Sequence, residues 1–511
     1  MAWLRRLAIG TPIALVVAVY VLRLDRVVGL IVDDAWYALL GRAIARGDGY
    51  QLVNAPIAGV LPPNPPGFAL LLSIVFRIAP NFPSDIPWLK MLSVAAMFVT
   101  GVEAYVYFRR RTAWPSELAG AAAVAIVLIP SFVFLATSTL MSECVFTAAQ
   151  LGTILVLDRA RTWRGHTAGA IGAAIVMLVR TAGVALPVGV VLYFAVTRQW
   201  RRAVVFAGVV LLALAPWLVY SRIHAPTMAQ RIAHGGAHAF SYGQEFWMRW
   251  AGDEESGVAG LRDLPARVWT NAVEIGGRDV GGIVVPALYR GASESGQEVI
   301  SIGGGSFPGS MGNTVPTMIV SLTLSAIVLI GFAALVRRQL TVAECVVPVS
   351  LCVILLWPQW TFRFVLPLAP FLLLYLVEGI IRLAGLTAAR IVVLLMVGLS
   401  LVDHAQYLAI ARSGEPDWLV DARDTDAVMD WLRAHPTNGV IATTNPALVY
   451  LRTGAKTIAI TGARSRQSEL AARGVRYLVY VRLGGVREPP DGAVVRFQSP
   501  RRGFWVATLT E

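Results

Sequence analysis

Charge is what this sequence lacks. Only 15% of its 511 residues are charged, against 56% hydrophobic, and mean hydropathy is +0.63. That is too apolar for a soluble globule and gives a polytopic membrane protein. Cysteine is scarce too. Cys144, Cys345 and Cys352 all fall in apolar runs, with neither metal-ligand spacing nor a disulfide framework, and read as small core residues. No small-residue cleavage site follows the first apolar stretch, so Arg5-Arg6 introduce a retained span, not a removed signal peptide. No internal repeat is visible, which weighs against transporters built from related halves. Positive charge is in excess, at a net +13. On a soluble protein that would suggest a nucleic-acid partner; here the arginines cluster between apolar runs, which makes them a topology signal and excludes nucleic acid.

Apolar runs at 8–31, 87–108, 117–131, 142–158, 166–180, 183–198, 202–220, 317–336, 343–357, 364–381 and 388–404 predict about eleven spans. With the N-terminus inside, every basic cluster falls on the cytoplasmic side: Arg5-Arg6, Arg109-Arg110-Arg111, Arg159/Arg161/Arg164, Arg198/Arg201/Arg202, Arg337-Arg338 and Arg382/Arg390. The C-terminus then lies outside. Pro66–Ala79 is apolar, but at about 14 residues it is too short to span, and counting it would invert every later cluster. It is placed as an interfacial helix on the outer leaflet. The expected location is the inner (cytoplasmic) membrane, multi-pass, with an extracytoplasmic C-terminus.

Residues 1–404 thus form a transmembrane module with outer loops at 32–86 and 221–316. Loops of that length usually carry function or are disordered. Gly303–Gly312 reads as a mobile lid; it has no preceding strand to make a phosphate fingerprint. Residues 405–511 read as a small soluble α/β domain. Helices are expected at Thr425–Arg433, Asn445–Thr453 (ended by Gly454) and Arg464–Arg473. Strands are expected at Gly439–Ala442, Lys456–Ile460 and Val475–Val481, with a closing antiparallel pair, Val494–Gln498 and Phe504–Thr508. It shows no catalytic motif, and scaffolding or partner contact is its expected role.

Under this topology Asp33, Asp34, Glu143, Arg180, Arg363, Asp403 and His404 map to the outer ends of spans. Glu103, Asp158 and Glu378 map to inner ends near arginines, where pairing is expected. Adjacent carboxylates at a membrane boundary cost free energy unless solvated, paired or used. Asp33-Asp34 can be a hydrated helix end or a catalytic pair. Glu143 can cap its helix or act as an acid, and Arg180 and Arg363 can snorkel to headgroups or bind substrate. Taken together they suit a phosphate held in the headgroup zone and a hydroxyl to be activated. Arginine binds phosphate bidentately, and a carboxylate can take a proton from an acceptor hydroxyl. A sugar on a polyprenyl phosphate meets both needs, since its leaving group is a phosphate anchored in the membrane.

Four segments carry a resemblance: Asp33-Asp34-Ala35-Trp36-Tyr37 after the first span, Asn64-Pro65-Pro66-Gly67 in the first outer loop, Ser142-Glu143, and Arg363-Phe364-Val365-Leu366-Pro367-Leu368-Ala369-Pro370. In order and spacing the chain resembles the GT-C membrane glycosyltransferases, in the branch of protein O-mannosyltransferases and lipid A aminoarabinose transferases. The resemblance implies a polytopic GT-C-like fold with a C-terminal extracytoplasmic α/β domain. The implied activity is sugar transfer from a polyprenyl-phosphate donor to an acceptor hydroxyl at the outer face. It implies Asp33, Asp34 and Glu143 as catalytic residues and Tyr37, Asn64, Arg180 and Arg363 as substrate-binding. Asn64 stands where relatives often have a lysine, leaving Arg180, Arg77 or Arg363 to supply charge. The implied partners are the lipid-linked donor, membrane lipids, and an envelope glycan, lipid or protein acceptor. The residues fix no cofactor. Relatives differ on metal dependence, so a divalent metal stays open, with His224, His234 and His238 as candidate ligands or plain surface residues. The competing functions are a lipid-linked sugar transporter or flippase and a non-catalytic envelope assembly protein.

Overall fold

The computed structural model describes residues 2–29, 32–57, 59–227, 229–230, 240–251, 256–285, 301–302, 305–306, 315–413, 417–460, 467–481, 488–489 and 492–509. His234, His238 and most of Gly303–Gly312 lie outside them.

Helices lie under all eleven apolar runs, but they are unequal. Among the described residues, four are long and apolar enough to cross a membrane: Ile86–Arg111, Trp200–Ile223, Pro316–Arg338 and Phe362–Ser413. Ser116–Val127 and Pro130–Thr137, bent by 51° where Pro130 begins the second helix, make a fifth if counted as one span. Others, such as Glu143–Arg159, Trp163–Val179 and Ala185–Val196, have 12 to 17 residues. At about 1.5 Å per residue that gives roughly 18–26 Å, short of the ~30 Å hydrocarbon core, so about eleven spans is not established. The last two expected spans form one element, Ala369–Ser413, broken only at Gly385, whose φ of 85° is open to glycine and costly for other residues. The boundary expected at residue 405 falls inside this helix.

The apolar stretch after Pro66 is the 12-residue helix Gly67–Ile78, packed on Asp33–Arg46. Its first residue must be small: a Cβ on Gly67 would stand 2.6 Å from the carbonyl oxygen of Leu178. This close approach ties the first outer loop to the end of Trp163–Val179, directly before Arg180.

Within residues 221–316, the described stretch 264–284 is helical where its glycines suggested a loop. Leu264–Glu274 continues through a π-helical turn, Ile275–Asp279, into Val280–Val284. Ser321 and Ser325 on the Val315–Arg338 helix both donate to the carbonyl of Gly276, at 3.0 and 2.8 Å.

The C-terminal part builds a five-stranded sheet in the order Thr457–Ala459, Val440–Thr443, Val475–Tyr480, Trp505–Leu509, Ala493–Gln498. The first three strands are parallel and the last two antiparallel. Helices Asp417–Ala434 and Pro446–Thr453 pack on it, the latter stopped by Gly454. The unit is fastened to the N-terminal part of the chain at Gly29, Arg42 and Asn54. Asn54 donates to Thr457 Oγ1 (3.0 Å), Arg42 to the Leu451 carbonyl (3.1 Å), and Asn445 to the Gly29 carbonyl (3.1 Å).

Candidate active site

The site begins where the chain turns into helix Asp33–Arg46. Val32 holds φ 64°, a left-handed conformation that is a true outlier for a β-branched residue. Such strain persists only where the surroundings over-determine it. Here Asp34 supplies the constraint, its Oδ2 accepting from the Gly29 amide (2.9 Å) and its Oδ1 from the Ala35 amide (3.0 Å). Asp34 is wholly buried, and burial lifts its carboxyl to about 6 despite those amides and the charge of Lys90. Asp33 faces the other way, with 42% of its side chain exposed. The two adjacent aspartates are therefore separated: Asp34 secures the turn, and Asp33 is open to solvent.

Asp33 meets a chain of polar groups drawn from distant segments. Arg363 Nη1 donates to Asp33 Oδ2 at 3.0 Å, and Arg363 Nε donates to Glu143 Oε1. Arg180 Nη1 reaches that same Glu143 oxygen at 2.7 Å and donates to Ser142 Oγ at 3.2 Å. Ser142 Oγ lies 3.3 Å from the Tyr37 hydroxyl. Glu143 is fully buried, so it acts on the two guanidiniums and not on solvent. Its charge offsets the cost of holding two cations close together.

The turn carrying Arg363 is braced from the second outer region. Thr361 Oγ1 donates to buried Asp279 Oδ2, in the π-helical turn, and burial lifts the Asp279 carboxyl to about 6. Asn271 Nδ2 donates to the carbonyls of Leu355 and Trp357, each at 3.0 Å. Arg180 approaches the Phe364 ring at 5.6 Å, within cation–π range.

Asn64 lies beside this chain of groups, not in it. Its Oδ1 accepts from the Tyr242 hydroxyl (2.9 Å) and its carbonyl from the Tyr50 hydroxyl (2.8 Å). Burial raises the Tyr242 hydroxyl. Arg77 is exposed on the Gly67–Ile78 helix and joins no ion pair among the described residues.

Other expected positions go elsewhere. His404 contacts Arg23 Nη1 through Nδ1 (2.8 Å) and the Leu128 carbonyl through Nε2 (3.0 Å), while Arg23 lies over the Tyr407 ring at 3.4 Å. Glu103, Asp158 and Glu378 form no ion pairs among the described residues; Glu378 accepts instead from Trp114 Nε1 (2.7 Å). Arg111 pairs with Glu344, at 3.3 Å. Among the described residues no group of three or more His, Cys, Asp or Glu could hold a metal ion.

Sequence reasoning missed three groups near the site. Lys90, fully buried, pairs with Asp25 at 2.6 Å and reaches Asp34 electrostatically. Glu245 lies close enough to Asp33 to feel its charge, and burial, then that charge, lift its carboxyl to about 7. Asp279 positions the Arg363 turn. Only Lys90 left a signal, as a lone lysine inside an apolar run; the two loop carboxylates belong to no motif.

No protein-family model matches the chain, and neither does any curated protein. Solved structures do. ArnT from Cupriavidus metallidurans, bound to undecaprenyl phosphate, is similar with a TM-score of 0.52 and 14% identity, over 98% of this chain and 97% of that one. The Archaeoglobus fulgidus oligosaccharyltransferase tethered with an acceptor peptide is similar with a TM-score of 0.54 and 14% identity, over 94% of this chain and 70% of that one. Both neighbours are GT-C glycosyltransferases. At this identity the likeness concerns architecture, and the chain has the fold of the GT-C membrane glycosyltransferases that its motifs resemble.

Proposed function

We propose that the protein transfers a sugar from a polyprenyl-phosphate-linked donor to an acceptor hydroxyl at the outer face of the cytoplasmic membrane, with its C-terminal unit on that same side. One observation carries the reading. An open carboxylate, Asp33, shares a guanidinium with Glu143, a buried carboxylate that grips a second guanidinium as well. Two arginines and two carboxylates leave the cluster neutral. A phosphate can therefore enter by taking the place of Asp33 at the outer edge of Arg363, freeing that carboxylate for the acceptor.

In the proposed step the acceptor oxygen forms a bond to the anomeric carbon, and the bond from that carbon to the phosphate oxygen breaks. The phosphate leaves with the electron pair, and Asp33 takes the acceptor's proton. Arg363 and Arg180 stabilise the charge growing on the departing phosphate. Glu143 sets their geometry, Asp34 fixes the turn that presents Asp33, and Tyr37 and Asn64 line the approach. Asp33 and Glu143 are both engaged by arginine in this arrangement, and the step is written on side chains alone. The similar structures, one bound to undecaprenyl phosphate and one tethered with an acceptor peptide, support a lipid-linked donor and a separate acceptor.

The test is purified protein with a polyprenyl-phosphate sugar, reading release of polyprenyl phosphate. Mass spectrometry of envelope glycans from a deletion strain would identify sugar and acceptor. Movement of the donor across a vesicle without its cleavage would favour a flippase and overturn the transferase reading.

A further inference from the structure

The helix that opens with Glu143 closes with Arg159, its seventeenth residue. At about 1.5 Å per residue this places Arg159 roughly 24 Å from the candidate active site. At this far end a polar cavity of about 280 Å³ lies between helix ends. That is just below the range of about 300–1,000 Å³ for drug-sized ligands, and suits a small anion or one headgroup.

Its lining is strongly basic. Arg110 and Arg111 end one helix, Arg159 ends another, and Arg202 lies in the first turn of a third, against the single lining carboxylate Asp158. Arg111 is already committed to Glu344 and to the Leu335 carbonyl at 3.1 Å, and Arg202 donates to Gln199. Arg110 and Arg159 form no ion pair among the described residues. A second observation is independent of the arginines. His166 lines the same cavity at only 6% exposure, packed on the Phe194 ring at 5.4 Å, and neither of its ring nitrogens has a hydrogen-bond partner. An imidazole always carries at least one N–H, and buried donors are almost always matched with acceptors. Uncommitted guanidiniums around an unmatched buried donor call for an anionic acceptor from outside the chain.

We infer that this cavity binds a phosphate group, carried by an anionic lipid headgroup or by a free phosphate anion. Arginine forks fit phosphate oxygens in pairs, and basic pockets between membrane helices are suited to anionic headgroups. The site is separate from the proposed transfer chemistry, and its test needs no sugar donor.

The experiment is native mass spectrometry of the full chain in micelles of a phosphate-free detergent, titrated with short-chain phosphatidic acid and, separately, with diacylglycerol of equal chain length, which lacks the phosphate. Inorganic phosphate is then added as a competitor. Wild type should retain phosphatidic acid at least about ten-fold more tightly, the scale of one charge-assisted contact. The double variant Arg110→Gln/Arg159→Gln should lose that preference. His166→Phe keeps the packing on Phe194, removes the donor, and should weaken it; this variant decides the matter if the double variant does not fold. Competition by inorganic phosphate would show that the free anion suffices, and its absence would assign the site to a lipid headgroup. Equal retention of both lipids by wild type, or an unchanged preference in the folded variants, would overturn the proposal.

Discussion

Arg363 and Asp33 stand 330 positions apart in the chain and 3.0 Å apart in space. The pair is partly exposed, with side-chain exposures of 16% and 42%, and such pairs contribute little to stability, about 0–1 kcal/mol. Their proximity matters more for chemistry. It puts a proton acceptor and a phosphate-binding fork on one edge, one of them fixed by a buried glutamate and the other free to move.

If Asp33 is the proton acceptor, Asp33→Asn should lower turnover by about 10²–10⁴-fold while leaving the fold intact. Release of polyprenyl phosphate from a saturating lipid-linked donor measures this. Wild-type turnover in the variant would remove Asp33 from the mechanism.

Arg363 should act in the chemical step as well as in binding, because its hydrogen bonds strengthen as the phosphate gains charge. Arg363→Lys keeps the charge but loses the fork, and should retain part of the turnover; Arg363→Ala should retain much less. Equal turnover of Arg363→Ala and wild type would reduce Arg363 to a surface residue and make Arg180 the next candidate. Glu143→Gln keeps the shape but frees both guanidiniums, and should lower turnover more than it raises the donor KM.

Asp279 touches none of the reacting groups in this scheme, yet it accepts from Thr361, two residues before Arg363. Asp279→Asn can preserve that acceptor, whereas Asp279→Ala cannot. The alanine variant should lose activity mainly in kcat, and the asparagine variant should recover much of it. Equal kinetics for both variants and wild type would show that the brace does not matter to the reaction.

Much of this was legible because the signals were local. Asp33-Asp34 and Ser142-Glu143 are contiguous motifs, and the C-terminal strands are short runs rich in β-branched and aromatic residues, each following closely on a glycine, so they fell within a few residues of their observed limits. What was illegible depends on tertiary packing. Nothing in Asp33-Asp34 says which aspartate is open; that follows from the Gly29 amide binding Asp34. The Leu264–Val284 helix was hidden by Gly276-Gly277 and Gly281-Gly282, which favour loops in isolation and are held helical by Ser321 and Ser325. Span count was illegible for a different reason: apolar composition does not fix helix length, and several runs end after 12 to 17 residues.

Topology can be checked directly. Asp48 and Ser84, flanking the short Gly67–Ile78 helix, should share a compartment with Val495 on the exposed edge strand of the C-terminal sheet. Single cysteines at these positions, on a background without Cys144, Cys345 and Cys352, should all react with an impermeant reagent on intact cells. Labelling at position 84 only after lysis would mean that the chain crosses the membrane between 48 and 84.

Asp85 offers a test of the loop's electrostatics away from the proposed chemistry. It precedes helix Ile86–Arg111, is 2% exposed, and neither carboxyl oxygen has a hydrogen-bond partner. Burial lifts its carboxyl from the usual 3.8 to about 6, with its own amide and Arg42 opposing. The folded protein therefore holds this proton more tightly than the unfolded chain. The contribution to stability is fully present below about pH 4, declines as the pH rises through about 6, and stays lost above that. Asp85→Asn keeps the shape and removes the titration. The melting temperature of the variant minus that of wild type should rise between about pH 4 and 6 and then level off. Taking the difference cancels Asp34 and Asp279, which titrate in the same window. A difference that does not change with pH would show that Asp85 is ionised in the folded protein, with solvent or a counter-ion reaching it behind Arg42.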